Sequence, residues 1–239
     1  MRLGAIIAVE AEAAAILADP RFEWEARGPG SYSSRAFPLR LELSGVGKVF
    51  ASWACSRLIG AGPASGCDLI LSLGTSGSLA SEAPLSLALA KEFVEHDMIV
   101  TGLGIEPGVT PLAGMEGPVI SSLSPRAEAL AEKALSAAGM KAAWARVATG
   151  DRFIGDAAEA AALRLKTGAA LCDMECAAIA KLCAYRAPGA GGRLDYFALR
   201  SVSDNADHDA QLSWAEAVKI SARDFDAYLF ALAGLASSA

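Results

Sequence analysis

Hydrophobic residues along the chain fall into short apolar runs that alternate with longer Ala-rich stretches of helical spacing. Apolar runs bounded by Gly, Pro or polar residues indicate buried strands, and longer periodic stretches indicate helices. The predicted strands are residues 3–9, 68–73, a pair within 85–94, 141–147, 169–172 and 196–202. The predicted helices are residues 11–18, 49–59, 124–138, 157–165, 173–185 and 214–233, the last with Gly234 as its stop.

The order of these elements predicts the fold class. Residues 21–43 alternate polar and apolar side chains around Gly28-Pro29-Gly30, which predicts antiparallel hairpins. Elsewhere strands and helices alternate, which is typical of an α/β fold with a central mixed, mostly parallel twisted sheet flanked by helices. Because no internal repeat or linker interrupts the pattern, we expect residues 1–239 to form a single domain.

The charge balance of the chain argues against a nucleic-acid partner. The net charge is −6 and the sequence pI is near 5.0, whereas a nucleic-acid-binding surface carries a basic stripe. No uninterrupted apolar run reaches the roughly 20 residues of a membrane span, and the first strand begins without a signal-peptide pattern. We therefore expect a cytoplasmic protein that binds neither nucleic acid nor membrane.

Cysteine and histidine patterns bear on redox chemistry and metals. The five cysteines form an odd set without a CxxC pair, and most lie in Ala-rich or apolar runs, so we expect reduced, buried thiols. The two histidines, His96 and His208, are not spaced as metal ligands with each other or with a cysteine. This spacing predicts no zinc site.

Three carboxylates follow predicted strands at corresponding places. Glu12, Glu175 and Asp204 each come a few residues after an apolar strand, and ligands of such sheets bind outside the carboxyl ends of the strands. Acids at helix starts are commonly caps or dipole partners, which is the simpler interpretation for any one of them. Together they suit cleavage of a glycosidic bond, in which one carboxyl group protonates the leaving group and another activates water.

Two Gly-rich stretches and several apolar residues are weaker signals. Residues 74–78 follow a strand and predict a turn whose N–H groups hold a phosphate or ribose hydroxyls, although they match neither a Walker loop nor GxGxxG. Residues 44–48, which contain Gly45 and Gly47, are an equally weak signal of such a turn. Met174, Phe153 and Trp214 are either ordinary core or pocket walls for a purine and a sugar.

Short motifs in a fixed order carry a family resemblance. They are Ile7-Ala8-Val9-Glu10-Ala11-Glu12, Ser44-Gly45-Val46-Gly47-Lys48-Val49, Leu73-Gly74-Thr75-Ser76-Gly77, His96-Asp97, Thr149-Gly150-Asp151-Arg152-Phe153-Ile154, Asp173-Met174-Glu175 and Arg200-Ser201-Val202-Ser203-Asp204. In this order and spacing they resemble the 5′-methylthioadenosine/S-adenosylhomocysteine nucleosidases of the nucleoside phosphorylase superfamily. The resemblance implies a nucleoside phosphorylase-like fold and hydrolysis of the N-glycosidic bond of a purine nucleoside, with no metal or organic cofactor.

The resemblance also implies a role for each matching residue. Glu12 would polarise the attacking water, Glu175 would accept hydrogen bonds from the ribose hydroxyls, and Asp204 would protonate N7 of adenine. The remaining residues would bind the substrate: Met174 at the ribose, Thr75 near the sugar and the water, Phe153 and Ile154 at the purine, Ser203 beside Asp204, and Val9, Val46, Leu103, Ile105 and Trp214 around the 5′ substituent. The family further implies a homodimer, in which the loop of residues 103–107 reaches a neighbour's pocket.

Departures from the family pattern leave the exact activity open. Arg152 stands where a small residue is usual, Ile105 where an aromatic often contacts the 5′ group, and Asp173 where a longer acid is usual. A phosphate-dependent purine nucleoside phosphorylase needs a site for a dianion, which the acidic turn at Glu12 and the acidic residues 205–209 oppose. A futalosine hydrolase and a catalytically silent nucleoside-binding protein are two further hypotheses, and the presence of all three carboxylates argues against the silent protein.

Overall fold

Ten strands and six α-helices make up the regular structure of the part of the chain that the computed structural model describes, residues 1–60, 66–80, 85–111, 114–185, 193–204 and 210–238. The side chains of residues 210–215 lie outside this description. The strands are β1 (Leu3–Ile7), β2 (Trp24–Gly28), β3 (Ser31–Ser34), β4 (Leu39–Leu43), β5 (Leu69–Ser78), β6 (Leu87–Glu95), β7 (Val119–Ile120), β8 (Ala142–Thr149), β9 (Leu171–Asp173) and β10 (Asp195–Asp204). The helices are α1 (Glu10–Ala18), α2 (Lys48–Ile59), α3 (Pro125–Ala137), α4 (Ala157–Thr167), α5 (Cys176–Tyr185) and α6 (Ala210–Ser237).

The described strands belong to one mixed sheet, and part of that sheet closes on itself. Five of its pairings are parallel and five are antiparallel, and the longest, β10 with β5 and β8 with β6, are parallel. Because β10 pairs with both β5 and β6, the strands β5, β10, β6, β8 and β9 form a closed ring. The predicted mixed sheet with flanking helices is confirmed, whereas the closure is a feature that the sequence pattern does not predict.

Helices pack on both faces of the sheet, where alternate side chains of β5 point. Leu69, Leu71 and Leu73 belong to a core that β5 shares with α1, α3 and α6. Ile70, on the opposite face, belongs to a second core with α2 and α5. Since helices cover both faces, the ends of the strands are the place where a pocket can form.

Residues 74–78 form the second half of β5 and not the predicted Gly-rich turn. β10 pairs alongside them as far as the pair of Asp204 with Gly77, so the sheet occupies this stretch of backbone. Gly74 is required by packing instead, because a Cβ there would lie 2.7 Å from Nη1 of Arg200. The prediction of a turn at this position is therefore wrong.

Three predicted element boundaries also need correction. The pair of strands predicted within residues 85–94 is the single strand β6. α5 begins at Cys176 and not at Asp173, because the Asp173 carboxylate accepts the Cys176 N–H at 3.1 Å and so caps the helix from outside. α6 continues past Gly234, since the buried Ala236 holds the last turn in the core.

Several local predictions are confirmed. β2, β3 and β4 pair antiparallel within residues 21–43. α3 matches the helix predicted at residues 124–138, and Ser124 caps it, since its hydroxyl accepts the Ala127 N–H at 3.3 Å. The five cysteines are free and buried.

Among the described helices, none combines the length and the hydropathy that a membrane span requires.

Leu71 lies in the middle of the central strand and is 1% exposed. We predict that Leu71→Ala lowers the free energy of unfolding by about 2–5 kcal/mol, because the lost methyl groups leave a cavity in the core. Urea unfolding followed by circular dichroism measures the change. The matched control is Leu165→Ala, since Leu165 is 90% exposed, and it is expected to change stability by less than about 0.5 kcal/mol. Equal stability of the two variants would show that Leu71 does not stabilise the core.

Candidate active site

A cavity of about 430 Å³ lies at the carboxyl ends of β1, β5, β9 and β10. Ten of the eleven predicted catalytic and substrate-binding residues line it: Val9, Glu12, Val46, Thr75, Phe153, Ile154, Met174, Glu175, Ser203 and Asp204. The side chain of the eleventh, Trp214, lies outside the described residues. The fold therefore gathers around one cavity the side chains that the motifs scatter along the chain.

The loop of residues 103–107, which the resemblance places at a neighbour's pocket, does not line the cavity of its own chain. Leu103, which ends a short 3-10 turn, is 74% exposed, and neither Leu103 nor Ile105 lines the cavity of its own chain. Their predicted position beside the 5′ substituent is therefore not met within one chain. The acidic segment of residues 205–209, which contains His208, lies outside the described residues.

Glu12 is held in the first turn of α1 by the backbone of β5. It is 3% exposed, and its Oε1 accepts hydrogen bonds from the Thr75 N–H at 2.8 Å and the Thr75 hydroxyl at 3.0 Å. Its Oε2 is buried and has no hydrogen-bond partner among the described residues. Burial raises the pKa of Glu12, and the Thr75 N–H and the charge of Arg200 lower it in part. With one oxygen anchored and the other unpartnered, this carboxylate is suited to accept a proton.

Glu175 directly precedes α5, although the predicted helix of residues 173–185 includes it. Its side chain reaches the start of α2. Its Oε1 accepts the Gly47 N–H at 2.9 Å. Gly47 has a φ of 98°, a left-handed conformation that favours glycine. Burial and the charge of Asp173 raise the pKa of Glu175 to about 7, while Arg200 opposes the shift. The charge of Glu175 therefore changes near neutral pH.

Asp204 is the last residue of β10 and lies on the other side of β5 from Glu12. It pairs in register with Gly77 and is 4% exposed. The Ser203 hydroxyl donates a hydrogen bond to Asp204 Oδ2 at 2.5 Å. Because β5 lies between β1 and β10, Glu12 and Asp204 reach the cavity from two sides of the same strand.

Arg200, in the middle of β10, is a cavity residue to which sequence reasoning assigns no role. It is 2% exposed, and its Nη2 donates to Asp173 Oδ2 at 2.8 Å. Asp173 also accepts the Thr149 hydroxyl at 2.5 Å, so the ion pair is fixed on both sides. The available signal is the single cation of this strand, which directly follows the apolar residues 196–199, because a buried charge requires a partner. Its positive charge lowers the pKa of both Glu12 and Glu175.

Comparison with known proteins identifies the family. The family model described as "Phosphorylase superfamily" matches residues 2–233. A 5′-methylthioadenosine/S-adenosylhomocysteine nucleosidase from Shewanella piezotolerans is 33% identical over 203 residues, which are 82% of this chain and 75% of that protein. This chain belongs to the 5′-methylthioadenosine/S-adenosylhomocysteine nucleosidase family. The resemblance drawn from the motifs is thereby confirmed.

A solved structure of the nucleosidase family has the same fold. The 5′-methylthioadenosine/S-adenosylhomocysteine nucleosidase from Neisseria meningitidis, in complex with methylthio-immucillin-A, matches with a TM-score of 0.83 and 25% identity over 100% of this chain and 99% of that chain. A futalosine hydrolase from Helicobacter pylori matches with a TM-score of 0.81 and 24% identity over 97% of each chain, which shows a shared fold alone. The nucleoside phosphorylase-like fold is therefore confirmed, and a nucleosidase and a futalosine hydrolase share it.

Two departures from the nucleosidase pattern lie at the cavity, and both are charges that are paired within the chain. Arg152 lines the cavity, but its guanidinium group pairs with Glu159 of α4 at 2.9 Å. Asp173 pairs with Arg200 at 2.8 Å. Neither departure places an unpaired cation in the pocket.

The pKa of Glu175 predicts a pH-dependent difference in stability. Between its ordinary value of 4.5 and about 7, the unfolded chain has released this proton while the folded chain retains it, so folding stability falls as pH rises through this window. We therefore expect Glu175→Gln to be more stable than the wild type at pH 8, by on the order of 1 kcal/mol. The difference should shrink as pH falls and vanish below about pH 4.5.

Urea unfolding of the two proteins at a series of pH values measures this difference. Glu106→Gln is the matched control on the exposed loop and should follow the wild type at every pH. A stabilisation by Glu175→Gln that is the same at all pH values would contradict the raised pKa.

Proposed function

We propose that this chain hydrolyses the N-glycosidic bond of 5′-methylthioadenosine and S-adenosylhomocysteine, releasing adenine and the 5′-thioribose. The observation that carries the proposal is the placement of Glu12 and Asp204 on two sides of β5, both buried and both lining one cavity. Cleavage of a glycosidic bond needs a proton for the leaving group and a base for the water, on different sides of the bond. Membership of the nucleosidase family supports the same reaction and the same substrates.

At the purine end, Asp204 acts as the general acid. Neutral adenine is a far better leaving group than its anion, so a proton must reach N7 as the bond breaks. Ser203 fixes the carboxyl group through its 2.5 Å hydrogen bond to Oδ2. Phe153 supplies an apolar face for the purine, and the backbone at Ile154, which is buried in the cavity wall, reads its edge.

At the sugar end, carboxylates stabilise the positive charge that develops on the ribosyl group. Glu12 takes a proton from the attacking water through Oε2, which has no partner in the described part of the chain. Glu175 accepts hydrogen bonds from the ribose hydroxyls, and Met174 packs beside it. Thr75 anchors Glu12 and borders the sugar. A negative site of this kind favours the cationic transition state over the neutral substrate, which is the condition for catalysis.

The charges around the cavity favour water over phosphate as the nucleophile. The carboxyl and guanidinium groups on its wall are those of Glu12, Asp173, Glu175, Asp204, Arg152 and Arg200. Both guanidinium groups already pair with a carboxylate, and Glu12 and Glu175 add negative charge when they are ionised. A phosphate dianion would therefore enter a site of its own sign, so we infer hydrolysis and not phosphorolysis.

Adenine release in phosphate-free buffer tests the reaction. Methylthioadenosine, adenosylhomocysteine, adenosine and futalosine are each supplied as substrate, and the expected result is release from the first two. Strict dependence on phosphate would overturn the hydrolytic assignment, and a preference for futalosine would make the chain a futalosine hydrolase.

We predict that Asp204→Asn lowers kcat for methylthioadenosine by about 10²–10⁴-fold, because the amide cannot donate the proton that adenine needs. Calorimetric titration with adenine should show binding within about threefold of the wild type, since the shape of the pocket is kept. Steady-state adenine release measures the first quantity. Turnover close to that of the wild type would remove Asp204 from the role of general acid.

We also infer that the chain forms a homodimer through the outer face of α2. Val49, Phe50 and Trp53 are each more than half exposed on this face. Val46, which precedes the helix, is half exposed and also lines the cavity. A contiguous apolar patch of this kind marks an association surface, and the family resemblance supplies a second copy of the chain as its occupant. A second chain bound to this face would border the cavity. The exposed Leu103 of that second chain can then add to the cavity wall.

We predict that the double variant Phe50→Glu/Trp53→Glu shifts the protein from dimer to monomer, because it places two charges in an apolar interface. Size-exclusion chromatography with light scattering measures the mass. Leu165→Glu is the control, since it adds a charge at an exposed leucine on α4. A monomeric wild type, or a double variant that stays dimeric, would refute this surface.

A further inference from the structure

The motif His96-Asp97 carries polar groups that the proposed chemistry does not use. It follows directly after β6, whose last pair with β8 joins Glu95 to Thr149. The His96 N–H then donates to the Thr149 carbonyl at 2.9 Å. Beyond that point Asp97 Oδ2 accepts the Asp151 N–H at 2.9 Å. The Asp97 carboxylate thus continues the strand pairing onto the loop between β8 and α4.

This loop leads to Phe153, and its position depends on backbone anchors. The Phe153 ring is 52% exposed, so burial alone does not fix it. The described anchors at the start of the loop are the Gly150 N–H, which donates to the Asp173 carbonyl at 3.2 Å, and the Asp151 N–H on Asp97. A Cβ at Gly150 would lie 2.3 Å from His96 Nε2, which shows that the loop also packs tightly on this motif.

The second oxygen of Asp97 reaches the start of α2. Asp97 Oδ1 accepts a hydrogen bond from Lys48 Nζ at 2.7 Å, and Asp151 Oδ1 accepts the Lys48 N–H at 2.9 Å. The preceding residue is Gly47, whose N–H holds Glu175 at 2.9 Å. The carboxylates of Asp97 and Asp151 therefore together join the loop that carries Phe153 to the turn that holds the ribose-binding acid.

The neighbouring charges keep this junction in place. Lys48 Nζ also pairs with Glu95 Oε1 at 2.7 Å, and Glu95 in turn pairs with Lys181 of α5. The Lys48 ammonium is largely buried, with 18% of its side chain exposed, and the Asp97 side chain is 31% exposed. Ion pairs that are partly shielded from water in this way hold geometry better than exposed ones.

We propose that Asp97 is a positioning residue for the nucleosidase reaction, which holds the loop of Phe153 and the turn of Gly47 in one geometry around the substrate. The inference rests on the proposed function, since it assigns the purine to Phe153 and the ribose to Glu175. Asp97 does not line the cavity, so it acts through these two segments and not by contact with the substrate.

The test is Asp97→Asn, which keeps the shape of the side chain but replaces one acceptor by a donor. The amide can satisfy Lys48 or the Asp151 N–H, but not both. We expect KM for methylthioadenosine and Kd for adenine each to rise roughly tenfold, because both report the position of the purine wall, while kcat changes less than about threefold. Lys48→Met should change the same two constants in the same direction, because it removes the other half of the junction.

Asp68→Asn is the matched control. Asp68 accepts the Arg2 N–H at 2.7 Å and pairs with the Arg2 guanidinium group at 2.8 Å, so it combines a backbone acceptor and an ion pair as Asp97 does, away from the cavity. It is expected to leave KM and Kd unchanged. The melting temperature of each variant is measured beside the binding constants.

Unchanged KM and adenine Kd in Asp97→Asn would overturn the inference, as would a fall in melting temperature with no change in either constant. Adenine binding needs no turnover, so it decides the inference separately from the proposed function. A wild type that binds adenine but hydrolyses neither substrate would overturn the proposed function, and the Kd of Asp97→Asn would still show whether Asp97 positions the purine wall.

Discussion

The parallel pairing of β5 with β1 on one side and β10 on the other is the constraint on which the whole site depends. Parallel neighbours end at the same edge of a sheet, so Glu12 after β1 and Asp204 at the end of β10 meet there, with Thr75 between them. Because the ring of strands closes, β8 and β9 end at this edge as well. Because β8 and β9 run parallel and end together, the loop with Phe153 and the segment with Glu175 arrive at the same cavity.

Gathering carboxylates in a cavity opposes folding, and the structure offsets this cost only in part. Burial raises the pKa of both Glu12 and Glu175. The buried cation beside them, Arg200, is itself paired with Asp173, so neither Glu12 nor Glu175 has an ion-pair partner among the described residues. A fully neutralised wall would fold more favourably but would not stabilise a developing positive charge on a sugar. The residual negative field is thus a stability cost that suits the proposed reaction.

Local patterns are sufficient to predict most helices and strands and the three carboxylates at strand ends, because burial and periodicity act over a few neighbouring residues. They are not sufficient for residues 74–78, whose Gly-rich composition indicates a turn although β10 pairs beside them. The closed ring and the buried pair of Arg200 with Asp173 join segments far apart in the chain, and single-sequence periodicity carries no information on such partners. The side chains can therefore be named from motifs, while their mutual arrangement requires the fold.

The choice of substrate must be made outside the shared scaffold. The ring of strands is similar in nucleosidases and in a futalosine hydrolase, so it cannot by itself distinguish their substrates. A carboxyl acid at the purine and carboxylates at the ribose serve any purine ribonucleoside, since they contact parts that these substrates share. The 5′ substituent differs, and of the residues proposed to contact it, Val9 and Val46 lie on the cavity wall. Val46 also borders the exposed face of α2, so in the proposed dimer selectivity at the 5′ end and association of two chains would depend on one surface.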